Sequence, residues 1–318
     1  MLILNILFFV IALVALGFAS GLTMRGSLRL FTLMRVSDYV GVFFLIGFAA
    51  ALPEIFVAIF SAFFGAPVLS YGNILGANLA DLTLVLGLAA YFSGGLKIDN
   101  HFSRKTFWTT VVLSFLPIIV ALDGMVSRAD GILLLVIFCM YAWIVILDIK
   151  FILKAISAVP FSVFHVKDAI KSFKESTVGH ILLAVSTALL VIASMNISGF
   201  YSVNAIYFGI VFLGLATTLP ELFLNTEAGV LRSSSLVMGA VLGSIAINST
   251  AVLGLLAIIS PIKIRLDPLG LLINACFLLV AFILFRTLAY TGKKVSREEG
   301  VVLVLIYVLF FISQLYFL

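Results

Sequence analysis

Charge is what this chain has least of. Asp, Glu, Lys and Arg make up 10% of its 318 residues, against about 25% in an ordinary soluble domain. No stretch is both polar enough and long enough to form a separate soluble domain. The two cysteines, Cys139 and Cys276, stand alone in apolar runs. That excludes a disulfide framework and a thiolate metal cluster, and it reads as ordinary core usage. His101, His165 and His180 lie in or beside loops. There is no H-E-x-x-H, no G-x-S-x-G and no carboxylate pair spaced for a metal–diphosphate site, so a membrane enzyme is given nothing to work with.

What fills the space is apolar. Hydrophobic residues reach 64% and the mean hydropathy is +1.30. Runs of about 20 such residues recur along the whole chain, which predicts α-helical membrane spans rather than a barrel. The first run, Leu2 to Ser20, has no basic residue before it, so it reads as a retained span and not a signal peptide. Ten spans are expected, near 2–21, 39–64, 68–92, 106–122, 131–153, 179–197, 204–230, 235–259, 268–287 and 300–317. The polar connector 154–178 carries Lys154, Lys167, Lys171, Lys174 and Glu175 and separates two sets of five, residues 1–153 and 179–318.

The net charge of +5 reflects loop orientation rather than a nucleic-acid partner. If the N-terminus lies outside, 16 of the 19 Lys and Arg residues fall on inner loops and helix ends, leaving Arg128, Lys263 and Arg265 outside. This positive-inside bias predicts a multi-pass cell-membrane protein with both termini outside and a cytoplasmic linker.

The chain also repeats itself. Shifted by 167 residues, segment 47–87 falls on 214–254 without a gap. Gly47, Leu52-Pro53-Glu54, Gly72, Leu75-Gly76 and Val85-Leu86-Gly87 meet Gly214, Leu219-Pro220-Glu221, Gly239, Leu242-Gly243 and Val252-Leu253-Gly254. Each set holds an odd number of spans, so the second copy enters from the opposite side. The predicted fold is an all-α polytopic membrane protein of two inverted five-helix repeats, with helices broken at the two Leu-Pro-Glu motifs.

Glu54 and Glu221 lie near the middle of spans 2 and 7, and Asp81 lies in span 3. At bilayer depth each charge costs about 2.5–3.5 kcal/mol, so three without a role would cost about 8–10 kcal/mol. Pro53 and Pro220 remove an amide donor and free carbonyls near Gly47–Ala50 and Gly214–Thr217. Carbonyls beside a carboxylate form an all-oxygen site suited to hard cations. Asp81 and Asn248 are equivalent under the shift, and Ser244 shares a helix face with Asn248. Asn78 has no polar twin, since Ile245 stands there, and it reads equally as ligand or as interhelical glue. The glycines four residues apart, Gly72/Gly76 and Gly239/Gly243, read as close packing. Asn225 shares the face of Glu221, whereas Glu227 lies off it, near an entrance.

The paired motifs resemble those of the calcium/cation antiporter superfamily, in particular the prokaryotic sodium/calcium exchangers. The resemblance covers 47–87 and 214–254 closely and the ten-span plan elsewhere. It implies that Glu54 and Glu221 are central carboxylates shared by Ca²⁺ and its counter-ion. It implies ligand roles for Thr217, Thr218, Ser244, Asp81 and Asn248, with backbone oxygens at Gly47 and Ala50. The first copy departs from the family pattern at Ala50, Ala51 and Ala77, where hydroxyls are usual.

The expected function is exchange of Ca²⁺ for Na⁺ by alternating access. H⁺ coupling is the alternative, because protons compete for clustered carboxylates. A cation channel is a third reading, opposed by an inverted repeat that gathers no ring of identical filters. The expected partners are Ca²⁺, monovalent cations and the lipid bilayer; no cofactor is expected, and the chain is expected to work as a monomer.

Overall fold

The computed structural model describes residues 2–33, 47–97, 104–152, 166–230, 234–264, 268–292 and 294–318. The first stretch holds α1 (Leu2–Leu33), helical residues 47–50, α2 (Leu52–Phe63), α3 (Pro67–Ala80), α4 (Leu86–Ser93), α5 (Arg104–Ile119) and α6 (Arg128–Ile152). The second holds α7 (Val166–Tyr201), α8 (Ala205–Phe208), α9 (Gly214–Val230), α10 (Ser234–Ile247), α11 (Leu253–Ile259), α12 (Pro268–Gly292) and α13 (Arg297–Leu315). Among the described residues, eight helical stretches are long and apolar enough to cross a membrane. Two shorter apolar helices, Leu52–Phe63 and Phe107–Ile119, coincide with expected spans 2 and 4. Of the connector expected at 154–178, residues 154–165 lie outside the described residues. From Val166 the chain is already helical and runs unbroken to Tyr201.

Short polar signals set where helices begin and end. Ser127 and Asp130 open α6: the Asp130 carboxylate accepts from the Ser127 amide and hydroxyl, and the Asp130 amide donates back to Ser127 Oγ. Ser296 and Glu299 build the same reciprocal cap on α13. Gly94, at φ 76°, closes α4 in the left-handed conformation that glycine adopts without strain.

Two π-helical turns interrupt the helices at equivalent places, Asp81–Val85 and Asn248–Val252. A π turn moves the amide register on by one residue and leaves a carbonyl behind without its usual donor. Thr83 Oγ1 donates to the Leu79 carbonyl at 2.5 Å, and Thr250 Oγ1 donates to the Ala246 carbonyl at 2.5 Å. Each threonine thus bonds back onto the helical turn that precedes the wider one. A third π turn, Gly209–Leu213, leads into α9.

The helices pack by exchanging backbone-to-backbone contacts across the chain. A Cβ on Gly87 would meet the Gly300 carbonyl at 2.6 Å, and one on Gly300 would meet the Gly87 carbonyl at 2.5 Å. Gly131 and Gly254 face each other likewise, at 2.8 and 2.9 Å. Gly47 lies against Gly243, and Gly214 lies against Gly76. Under the 167-residue shift the last two contacts are the same contact seen from either copy. Two antiparallel ladders follow the same rule. β1 (Leu96–Lys97) pairs with β4 (Lys294–Val295), and β2 (Met125–Val126) pairs with β3 (Ile262–Lys263). α1 lies along α7, with Gly26 against Ser176 and Gly179 against Thr23.

Two expectations need correction. Cys139 and Cys276 are exposed, not core. In a bundle surrounded by lipid the outward face is as apolar as the interior, so an apolar run does not fix which way a side chain points. The helix breaks at the first Leu-Pro-Glu motif only. The chain bends at Ala51 (φ −75°, ψ 0°), just before α2, but α9 passes through Pro220 as continuous helix. There the Thr217 hydroxyl reaches the carbonyls of Leu213 and Gly214, and the Thr218 hydroxyl donates to Gly214. Ala50 and Ala51 have no such group to give.

Candidate cation site

The acids meet where the exchanged contacts bring the two copies together. Glu54 rides on the first turn of α2, one residue after Pro53, and is buried. Glu221 follows Pro220 on α9 and is equally buried. Asp81 and Asn248 open the two matching π turns. All four side chains are at most 2% exposed.

Their contacts link the expected residues into one cluster. Ser244 Oγ donates to Glu221 Oε1 at 3.0 Å and accepts from Asn248 Nδ2 at 3.4 Å. The Asp81 carboxyl lies near Glu221 and Ser244 without a hydrogen bond to either. Glu54 and Glu221 are buried near each other, and the Thr217 hydroxyl lies beside Glu54 with its hydrogen bonds going elsewhere. Thr218 is buried beside it. Asn78, also buried, donates from Nδ2 to Ser249 Oγ at 2.8 Å, tying α3 to the opposite π turn. A Cβ on Gly47 would lie 3.4 Å from the Gly243 Cα, and the Gly47 carbonyl accepts from the Ala51 amide at 2.9 Å. That carbonyl therefore stays in the helical ladder with one lone pair still available. The carbonyl that loses its donor to Pro53 is that of Ala49, four residues back. Ala50 is buried and carries no polar side-chain atom.

The oxygen inventory indicates what the cluster can hold. Glu54 Oε2, Glu221 Oε2, both Asp81 carboxylate oxygens, Asn78 Oδ1 and Asn248 Oδ1 are all buried without a hydrogen-bond partner. Buried oxygens left without donors are costly unless something positive meets them. Several in one place form the donor set that a hard cation takes up. Among the described residues, no three carboxylate, imidazole or thiolate groups stand close enough to grip an ion by themselves. A cation here draws on hydroxyl, amide and backbone oxygens as well.

Two contributors escape a reading by motif alone. Asn73, fully buried on α3, accepts from Thr217 Oγ1 at 3.0 Å through Oδ1. Its twin under the shift is Ala240, so symmetry gives no hint of it. The Thr217 hydroxyl has one proton and three acceptors, namely Asn73 and the carbonyls of Leu213 and Gly214. It can donate to Asn73 and turn a lone pair to a cation. Tyr307 of α13, outside both repeats, is buried near Asp81. Asn225 donates to the Glu221 backbone carbonyl at 3.0 Å. The Glu227 side chain, His101 and His165 lie outside the described residues. His180 Nδ1 bonds the Ser176 carbonyl at 2.7 Å within its own helix, away from the acids.

Comparison with known proteins places this geometry in context. The sodium/calcium exchanger protein family model matches residues 4–147 and 176–316. An uncharacterized membrane protein of Methanocaldococcus jannaschii is 26% identical over 318 residues, covering 97% of each chain. The inner membrane protein YrbG of Escherichia coli is 26% identical over 268 residues, covering 81% of this chain and 80% of that one. The solved structure of the sodium-calcium exchanger NCX_Mj soaked with Na⁺ and Sr²⁺ superposes with a TM-score of 0.68 at 21% identity, covering 98% of this chain and 99% of that one.

Proposed function

The chain belongs to the sodium/calcium exchanger protein family, whose members are membrane cation transporters and not enzymes; from that premise we propose that it exchanges Ca²⁺ for Na⁺ by alternating access. The observation that carries this reading is the cluster of Glu54, Glu221 and Asp81 with its unpartnered oxygens, buried inside a bundle of membrane helices. Three carboxylates in a water-poor site cannot all stay charged without counter-charge. Ca²⁺, or monovalent cations in its place, supplies that charge. The loaded site then changes its exposure, and the empty one does not.

The architecture that suits this cycle is ten spans in two inverted halves, 1–153 and 179–318, joined by a cytoplasmic linker at 154–178, with both termini outside. The ladders support that arrangement. In the ten-span plan β1 and β4 both fall inside, and β2 and β3 both fall outside, which matches the observed pairing. Both copies of the site lie in one chain, which favours a working monomer.

A second reading has its own observation. The first copy carries methyl groups at Ala50, Ala51 and Ala77 where the second carries the hydroxyls of Thr217, Thr218 and Ser244. Fewer oxygens for Na⁺ favours H⁺ as the counter-ion. Ca²⁺ uptake into vesicles under a Na⁺ gradient, compared with a pH gradient in the same preparation, separates the two. Uptake that follows neither gradient refutes antiport.

A further inference from the structure

The cluster is lopsided, and the lopsidedness lies in its side chains. The backbone around it is matched at the glycine contacts and the π turns: Gly47 lies against Gly243 as Gly214 lies against Gly76, and the π turns begin at Asp81 and Asn248; it differs at the first Leu-Pro-Glu motif, where the chain bends at Ala51. On one side of the carboxylates this shared scaffold presents three buried hydroxyls, those of Thr217, Thr218 and Ser244. On the other side the equivalent residues Ala50, Ala51 and Ala77 are equally buried and present methyl groups. The hydroxyl side is also the side with relay partners. Thr217 is held by Asn73 at 3.0 Å, and Ser244 is held between Glu221 and Asn248. Ala50, Ala51 and Ala77 have no side-chain group with which to hold anything.

Building on the exchange reading above, we propose that Ala50, Ala51 and Ala77 set the coupling ratio of this transporter. The hydroxyl side, with Glu54, Glu221 and Asp81, holds a monovalent cation beside the central position. The mirror position, walled by three methyl groups, holds none. A hard cation needs oxygen in its coordination shell. A methyl group gives no ligand and also keeps out the water that would replace one. The transporter therefore moves one monovalent cation fewer per Ca²⁺ than a symmetric site on the same backbone would move.

The test is to give the first copy the side chains of the second: Ala50→Thr, Ala51→Thr and Ala77→Ser, together and singly. Ser244 shows that a serine fits the helix at the place matching Ala77, whereas Ala50 and Ala51 lie at a bend that the second copy lacks. The full chain is reconstituted in vesicles with the voltage clamped at zero, and the Ca²⁺ gradient that balances a tenfold Na⁺ gradient is measured. One added coupled Na⁺ raises that balancing gradient by about tenfold. It also steepens the Na⁺ dependence of Ca²⁺ efflux, with the Hill coefficient rising by about one. A wild-type protein that ignores Na⁺ and a triple variant that gains Na⁺ coupling is a supporting result too. A monodisperse triple variant that transports Ca²⁺ with an unchanged balancing gradient overturns the proposal and leaves antiport standing. If the triple variant fails to fold, Ala77→Ser alone decides in the same way, through a steeper or an unchanged Na⁺ dependence. A wild-type protein whose Ca²⁺ flux couples to neither Na⁺ nor H⁺ overturns the exchange reading itself.

Discussion

Replacing Gly76 by alanine separates packing from helix propensity. A Cβ there would fall inside the van der Waals shell of the Ile210 carbonyl oxygen and 2.9 Å from the Ile210 carbonyl carbon. Both atoms are backbone, in the π turn that leads into α9, so neither can swing aside. Overpacking of this kind costs about 1–3 kcal/mol, while alanine gains up to about 1 kcal/mol over glycine in helix propensity. Because both atoms struck are backbone, the clash falls in the upper part of that range, about 2–3 kcal/mol, and the net loss is about 1–2 kcal/mol. At about 2 °C per kcal/mol, the lower end for chains of 150–250 residues, thermal unfolding in detergent should begin about 2–4 °C lower. Transport should fall as well, because the shift separates α3, which carries Asn73, from Thr217 on α9. Gly17→Ala is the control. No atom lies within 4 Å of a Cβ at that position, and the variant should match or slightly exceed the wild-type stability. A Gly76→Ala protein as stable and as active as the control refutes the close-contact reasoning.

Other outcomes follow from the same geometry. In a background with Cys139 and Cys276 replaced by serine, Met125→Cys with Lys263→Cys should form a disulfide, since the two are ladder partners. Lys263→Cys alone should react with a membrane-impermeant thiol reagent in intact cells, and Lys294→Cys should react only after lysis; the reverse pattern contradicts the proposed orientation. Tyr71→Phe removes the hydroxyl that donates to the Pro117 carbonyl at 2.9 Å. It should cost about 1 kcal/mol of stability and leave the Ca²⁺ KM unchanged. Asn73→Ala should raise the Na⁺ concentration needed for half-maximal exchange more than the Ca²⁺ concentration, because it releases Thr217 rather than a carboxylate.

What the chain disclosed in advance was whatever lipid makes expensive. Glycine, proline and glutamate in register stand out against leucine, so Pro53-Glu54, Pro220-Glu221 and the glycine pairs are readable, and with them the residues of the candidate site. The π turns were not foreseen, because their trace is slight: a threonine two residues after Asp81 and another two after Asn248, each an ordinary residue until its hydroxyl is seen bonding backwards. Asn73 was hidden because its partner Thr217 is 144 residues away and its own twin is alanine. The unbroken helix at Pro220 was hidden because proline predicts a freed carbonyl. It does not reveal that Thr217 and Thr218 satisfy carbonyls one turn earlier. The outward cysteines were misjudged because inside and outside are equally apolar in a membrane.

The most direct measurement is Ca²⁺ uptake into vesicles containing the reconstituted Glu54→Gln and Glu221→Gln proteins, with equilibrium ⁴⁵Ca²⁺ binding to each in detergent. Each substitution keeps the shape of the side chain and removes a charge from the buried cluster. Both variants should fold as the wild type does, lose Ca²⁺ binding at concentrations that saturate the wild type, and lose exchange under either a Na⁺ or a pH gradient. Full exchange by either variant would contradict the assignment of these two glutamates as the centre of the site.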